Sequence, residues 1–268
     1  MDLRSLWVAM GEHLQAWFAP VPGSVCETGT GGFSALTGLP IPELNTIGIH
    51  EAVAVSDVLE RTSGCRTLLE HPALLLVSGA IAAAAEPVTR RRGFLPGGIA
   101  PLMRLSADDV PAGDTGFEVF RLGPDDLDTY TRAASEPFSM PPHVIRHFGA
   151  ATLGASSSRV YALADKDEVV STVTFTGDGG TTGIWAMGTR SSCRRKGYGS
   201  DLLAEAMRRE RDRGASSFFL YSSEAGYPLY DRLGFKIVDA ISLWIRLGVL
   251  DLRTRSIPGS PELVRGRW

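Results

Sequence analysis

The residues best suited to chemistry are Arg194-Arg195-Lys196-Gly197-Tyr198-Gly199, three cations and two glycines directly ahead of an amphipathic stretch. The first N–H groups of a helix have no partner within it, and the helix dipole adds about half a positive charge there. A pyrophosphate at such a terminus accepts several backbone hydrogen bonds at once. Gly197 and Gly199 let a ligand approach the backbone closely. Behind them, Leu202, Leu203, Ala206 and Met207 form an apolar stripe, and Glu205, Arg208, Arg209 and Arg211 occupy the opposite face. A strand pattern, Trp185-Ala186-Met187-Gly188-Thr189, precedes the loop. A basic glycine-containing loop between a strand and an amphipathic helix is a phosphate-loop candidate.

These residues resemble the GCN5-related N-acetyltransferase (GNAT) family. Arg194 to Gly199 fits that family's Arg/Gln-x-x-Gly-x-Gly/Ala loop, and Thr189 stands where many members carry threonine. Downstream, Gly226-Tyr227-Pro228-Leu229-Tyr230-Asp231-Arg232-Leu233-Gly234-Phe235 is similar to the family's Leu-Tyr-x-x-Leu-Gly-Phe helix. The resemblance spans about Phe117 to Leu247. It implies acetyl-CoA as co-substrate, with Met187, Gly188 and Thr189 along the pantetheine. Arg194, Arg195, Lys196, Gly197, Tyr198, Gly199 and Ser200 would then hold the pyrophosphate. It also implies a small-molecule or peptide amine as acceptor, and Tyr230 as proton donor to the departing thiolate. An ordinary phenol titrates near ~10 and a thiol near ~8.5, so that transfer is nearly balanced. Tyr227 is the competing phenol.

The general base is not evident. Many family members place a carboxylate on the strand ahead of the loop, whereas Thr181 to Thr189 contains no Asp or Glu. Glu136, His143, Glu224 and Asp178 remain open, as does a water chain. His143 and His147 have metal-chelating spacing, but Val144 replaces the Glu of H-E-x-x-H and no third ligand is apparent. No metal is expected. Cys193 adjoins two arginines but has no neighbouring histidine, which disfavours a nucleophile. Pro137-Phe138-Ser139-Met140-Pro141-Pro142 falls where the resemblance puts the acceptor loop.

Periodicity predicts the elements that must position these groups. From residue 117 the order is strand, helix, helix, three strands, helix, strand, helix, strand, which gives an α/β mixed sheet flanked by helices. Ahead of it come a helix over Leu3 to Phe18, a hairpin or loop at Thr28 to Gly32, strands at Leu44 to Ile49, Pro72 to Val77 and Leu102 to Leu105, and helices at Glu51 to Arg61 and Ala80 to Arg92. The polar stretch Ser106 to Gly116 reads as a linker. Arg92-Gly93-Phe94 and the strand after it echo Leu233-Gly234-Phe235 and its following strand, which suggests duplication. The expected domains are a degenerate GNAT-like half over 1–110, a catalytic GNAT domain over 117–248 and a tail over 249–268. The first half has His50-Glu51-Ala52-Val53 after Ile49, not a glycine loop.

Bulk properties narrow the function. In 268 residues, 44% are hydrophobic and 21% charged, an ordinary globular composition. A formal net charge of -3 disfavours a nucleic-acid partner, and with it an aminoacyl-tRNA-dependent peptidyl-type transferase. Three scattered cysteines suggest neither disulfides nor zinc. The N-terminus lacks a signal-peptide pattern, and Pro72 to Ala85 is too short for a span of about 20 residues. A cytoplasmic protein, monomer or homodimer, without a membrane partner is the expectation. A non-catalytic acyl-CoA-binding regulatory module is the alternative.

The loop assignment predicts that Gly197→Glu and Gly199→Glu each abolish CoA binding, by filling the approach and adding negative charge. Calorimetry checks this; wild-type affinity in both variants would rule out the site.

Overall fold

A computed structural model of the chain describes residues 1–63, 65–112, 116–177 and 179–248. Asp178, most of the linker's second half and the tail 249–268 lie outside the described residues. The chain forms two compact units, Met1–Leu102 with Ile237–Trp268, and Met103–Lys236. Neither boundary falls in the polar stretch 106–116. Ala107 and Val110, three apart around a 3-10 turn, are buried in the core of the second unit.

In the first unit, α1 (Leu3–Phe18) buries Leu6, Trp7, Met10, Leu14, Trp17 and Phe18 along one face, while Leu3 at its start is only partly buried. Asp2 caps it by accepting from the Ser5 N–H at 2.8 Å. The hairpin β1 (Val25–Gly29) and β2 (Gly32–Leu36) turns at the glycine-rich segment. It is followed by β3 (Asn45–Ile49), α2 (Ala54–Ser63), α3 (Arg66–Glu70), β4 (Ala73–Val77) and α4 (Ala82–Arg91). Next comes β5 (Leu95–Ser106), whose last residues belong to the second unit. The pairs β1–β2 and β2–β3 are antiparallel, and β3–β4 is parallel. The place beside β4 is taken by the last strand of the described residues, β11 (Lys236–Arg246), paired antiparallel from Ser242↔Val77 to Arg246↔Ala73. The final strand therefore completes the first unit. Among the described residues, no helix is long and apolar enough to cross a membrane.

The second unit contains β6 (Glu118–Leu122), α5 (Leu127–Ser135), α6 (Pro142–Gly154), β7 (Ser158–Asp165), β8 (Glu168–Thr176), β9 (Gly180–Thr189), α7 (Tyr198–Asp212), β10 (Ala215–Tyr221) and α8 (Tyr227–Arg232). Strands β6 to β9 form an antiparallel meander, and β10 joins β9 in parallel. The element order is the expected one. Helix α6 runs to Gly154, because Phe148, Thr152 and Leu153 continue the buried stripe. Strand β5 is longer than expected because its Pro96-Gly97-Gly98 segment hides the pattern.

Helix α7 is fixed at both ends of its buried stripe. Leu202, Leu203, Ala206 and Met207 are fully buried among Phe175, Phe218 and Leu220. Near its C-terminus Glu210 pairs with Arg159 at 2.7 Å, each 2% exposed. The Tyr161 hydroxyl donates to Glu210 at 2.7 Å and Arg159 donates to the Gly177 carbonyl at 2.6 Å. Burial, and then the Glu210 carboxylate, push the Tyr161 phenol up to about 12. Removing one partner of such a pair strands a buried charge. Glu210→Ala should cost about 3–5 kcal/mol in chemical denaturation. Glu86→Ala, from an exposed pair with Arg90, should cost less than about 1 kcal/mol. Equal losses would show that the buried pair contributes nothing special.

Candidate active site

The site begins with an irregularity in β9. Thr172 pairs with Gly188, but Thr174 pairs with Trp185, so β9 carries one more residue than β8 over this interval. This is a β-bulge, and Ala186 within it has φ 45°. A non-glycine residue there costs roughly 1–2 kcal/mol. Just upstream, the pairing of β9 with β10 ends at Phe219↔Gly183, although both strands continue. The strands part at their C-terminal ends. In a sheet of this kind ligands enter where neighbouring strands separate. Trp185 packs edge-on to Phe219 and Tyr221 beyond the parting, and its Nε1 donates to Thr176 at 2.7 Å.

The loop from β9 to α7 passes through a 3-10 turn, Ser191–Cys193, and then Arg194 to Gly197. Arg195 (φ 61°) and Gly197 (φ 92°) are left-handed. Gly197 is followed directly by the right-handed residues of α7, and a left-handed residue next to a right-handed one curves a backbone into an anion-binding concavity. Gly197 is the N-cap of α7 and offers no side-chain cap. The first intrahelical bond at this end runs from Asp201 N–H to the Gly197 carbonyl, at 3.0 Å. The N–H groups of Tyr198, Gly199 and Ser200 therefore have no acceptor within the helix. Arg194, Arg195, Lys196 and Gly197 are exposed. The helix begins at Tyr198, whose side chain turns into the core. Its ring stacks edge-on against Phe117 and its hydroxyl donates to Asp165 at 2.5 Å. That bond, chiefly, pushes the phenol up to about 12. Tyr198 thus has its backbone at the loop and its side chain in the fold.

Gly199 brings three elements together. A Cβ there would lie 3.1 Å from Met187 Cε, 3.2 Å from Thr189 Oγ1 and 3.8 Å from Leu229 Cδ2. The end of β9, the start of α7 and α8 therefore meet at one point. Thr189 is already engaged: its hydroxyl lies 2.8 Å from Ser171 Oγ and its carbonyl accepts from Arg194 Nε at 3.1 Å. The Gly188 carbonyl accepts from Ser171 Oγ at 2.9 Å. These bonds narrow what β9 can offer a ligand to the bulge around Ala186 and Met187 and to the remaining N–H groups. At Gly188 a Cβ would come within 2.8 Å of Phe138 and 2.9 Å of Pro137. The proline-rich stretch lies directly on this strand.

Tyr230 is 8% exposed and packs edge-on against Phe235. Burial drives its phenol well above the ordinary value. Proton donation to a thiolate is therefore more uphill than the near balance expected from an exposed phenol. Among the candidate bases, Glu136 is bound to the Ser191 N–H. That hydrogen bonding, with Arg194 and Arg190 nearby, holds its carboxyl below the usual range, which suits an anchor better than a base. Glu224 is exposed, and His143 and His147 are exposed on α6. Among the described residues no group of three His, Cys, Asp or Glu could hold a metal. Cys193 is half-buried in the 3-10 turn. The bulge, the strand parting and the Glu136 anchor were not foreseen from sequence. Only the small Ala186 inside a strand hints at the first.

The first unit carries the same strand plan with a different end. Strands β3 and β4 stay paired to Ile49↔Val77, and the Ser78 N–H donates to the Ile49 carbonyl at 2.9 Å, so no parting occurs. The turns after α4 and α8 match closely. Gly93 N–H donates to Arg90 and Gly234 N–H to Asp231, both at 3.0 Å, and both glycines have positive φ (81° and 93°). Phe94 N–H donates to the Thr89 carbonyl as Phe235 N–H does to Tyr230. Thr89 therefore stands where Tyr230 stands in the second unit.

Residues 125–235 match the family model of the Acetyltransferase (GNAT) family, and this segment is a GNAT domain. Solved structures share the fold. A GCN5-related N-acetyltransferase from Kribbella flavida superposes with a TM-score of 0.65 at 16% identity, covering 94% of this chain and 99% of that one. A conserved protein of unknown function from Staphylococcus epidermidis ATCC 12228 gives 0.63 at 12% identity, over 85% of this chain and 95% of that one. A GCN5-related N-acetyltransferase from Sphaerobacter thermophilus gives 0.57 at 17% identity, over 82% and 78%. At such identities the likeness speaks for the fold. No curated protein matches the sequence.

A closed strand end and a threonine in place of the tyrosine predict a single CoA site per chain. Titration calorimetry should give one CoA per chain, and a stoichiometry of two would contradict the difference between the units.

Proposed function

We propose that this protein is an acyl-CoA-dependent N-acyltransferase that moves acetyl from acetyl-CoA to an amine of a small molecule or peptide. The observation that carries the reading is the uncapped, cation-flanked start of α7 beside the bulge and parting of β9. The pyrophosphate would sit on the N–H groups of Tyr198, Gly199 and Ser200, with Arg194, Arg195 and Lys196 around it. Pantetheine would follow β9 past Gly188 and Met187, since the bulge frees backbone groups that a regular ladder would consume. The thioester then reaches the parting of β9 and β10. The first unit is a degenerate copy of the same fold in this reading, completed by β11.

The residues impose a division of labour. The amine nitrogen attacks the thioester carbonyl and loses a proton; β9 supplies no carboxylate for this, and in this reading a water chain takes the proton and returns it to Tyr230 after that residue has protonated the sulfur. The C–S bond breaks and the sulfur takes a proton. Tyr230 is the donor, and its buried phenol stays protonated across the working pH range. It passes its proton along a hydrogen bond to the sulfur that strengthens as charge develops there, since such a bond is worth more in a site shielded from water.

Tyr230→Phe keeps the ring and its packing but removes the proton. With an accepting amine, turnover should fall by about 10²–10⁴-fold while CoA affinity stays near wild type. Tyr227→Phe should do much less. A phenol whose ionised form is disfavoured keeps its proton to higher pH, so Tyr230 should cause no loss of rate as pH rises through about 10. Steady-state rates across an amine panel test all three. Retention of most activity in Tyr230→Phe would remove the acid assignment. Wild type that binds CoA but acylates no amine would favour the regulatory acyl-CoA-binding module.

A further inference from the structure

Glu136 follows α5 and opens the proline-rich stretch. Both of its carboxylate oxygens accept from the backbone N–H of Ser191, at 3.0 and 3.1 Å. Ser191 starts the 3-10 turn that delivers the chain to Arg194. The next two residues, Pro137 and Phe138, close on Gly188 so tightly that a Cβ there would clash. The stretch is folded back on the end of α5 by Ser139 N–H to the Glu136 carbonyl and Met140 N–H to the Ser135 carbonyl. We infer that Glu136 is a positioning residue for donor binding: it clamps the turn ahead of the pyrophosphate loop and ties the acceptor-side stretch 137–140 to it. This rests on the loop being the pyrophosphate site.

The clamp and simple electrostatics predict opposite signs. Arg190 and Arg194 lie close enough to favour the Glu136 carboxylate. A carboxylate beside a polyanion site repels the ligand, so deleting it should tighten CoA binding if charge is all that matters. If Glu136 holds the turn, deleting it should weaken CoA binding instead, because loop N–H groups that are no longer fixed must be ordered on binding. Glu168 supplies the comparison, since its side chain pairs with Arg190 rather than with the turn's backbone.

The test is CoA calorimetry on the full chain with Glu136→Ala, Glu136→Gln, Glu168→Ala and Ser191→Pro. Proline removes the donor N–H at a position that opens a 3-10 turn, where it is tolerated. Expected results are a loss of about tenfold for Glu136→Ala, from one charge-assisted hydrogen bond, and a similar loss for Ser191→Pro. Glu136→Gln, which keeps one accepting oxygen, should bind more tightly than Glu136→Ala, and Glu168→Ala should bind as well as wild type or better. The double variant Glu136→Ala/Ser191→Pro should be no worse than either single. Equal affinities for Glu136→Ala and Glu136→Gln, a loss in Glu168→Ala as large as in Glu136→Ala, or additive losses in the double variant would overturn the clamp. If Glu136→Ala does not fold, Ser191→Pro and Glu136→Gln carry the comparison. Wild type that binds no CoA would overturn the loop reading and the clamp together.

Discussion

A helix cannot satisfy its own first N–H groups, and the second unit is arranged around that deficit at the start of α7. Gly197 caps the helix with backbone only, so no N-cap side chain takes up the first N–H groups. The rest of the unit keeps that terminus still. The stripe Leu202, Leu203, Ala206 and Met207 seats the helix on the sheet. The Arg159–Glu210 pair with Tyr161 fixes its far end. Met187, Thr189 and Leu229 crowd Gly199, and Glu136 holds the turn before the loop. A site made of backbone donors works only if their directions are fixed in advance, because an anion gains little from donors that must first be ordered.

The two units share a strand plan and differ at the end of the parallel pair. Both have antiparallel strands leading to one parallel pair, then a helix and a Gly-Phe turn. In the first unit the parallel pair stays closed, and several polar groups at its end bond to one another. The Asp239 carboxylate accepts from Trp7 Nε1 at 3.0 Å, Ser78 Oγ at 2.6 Å and Gly79 N–H at 3.1 Å. Trp7 also stacks on His50, whose imidazole burial keeps neutral to lower pH than usual. Backbone and side-chain donors spent on each other are no longer available to a ligand. In the second unit β9 instead bulges at Ala186 and its pairing with β10 ends at Gly183.

Much of this was legible locally. The stripe of α1, the amphipathic face of α7 and the order of elements beyond residue 117 follow from apolar spacing. The glycine-rich segment at 28–32 was readable as a hairpin, since no helix pattern follows it. The echo of Arg92-Gly93-Phe94 in Leu233-Gly234-Phe235 has a structural counterpart in matching hydrogen bonds. The extent of β5 was hidden by Pro96-Gly97-Gly98, and that of α6 by the small residues Gly149, Ala150 and Ala151.

The sequence by itself determined which residues could cradle a phosphate, because three cations and two glycines ahead of an apolar stripe act through chain neighbours. It likewise determined that the first half lacks such a loop and that no carboxylate lies on β9. The tertiary structure decided where the strands part, that β11 completes the first unit, that Glu136 reaches Ser191 and that burial raises the Tyr230 phenol. Those outcomes depend on groups brought together from distant parts of the chain. Register, burial and hydrogen-bond partners are properties of the packed neighbours, and no window of local sequence contains them.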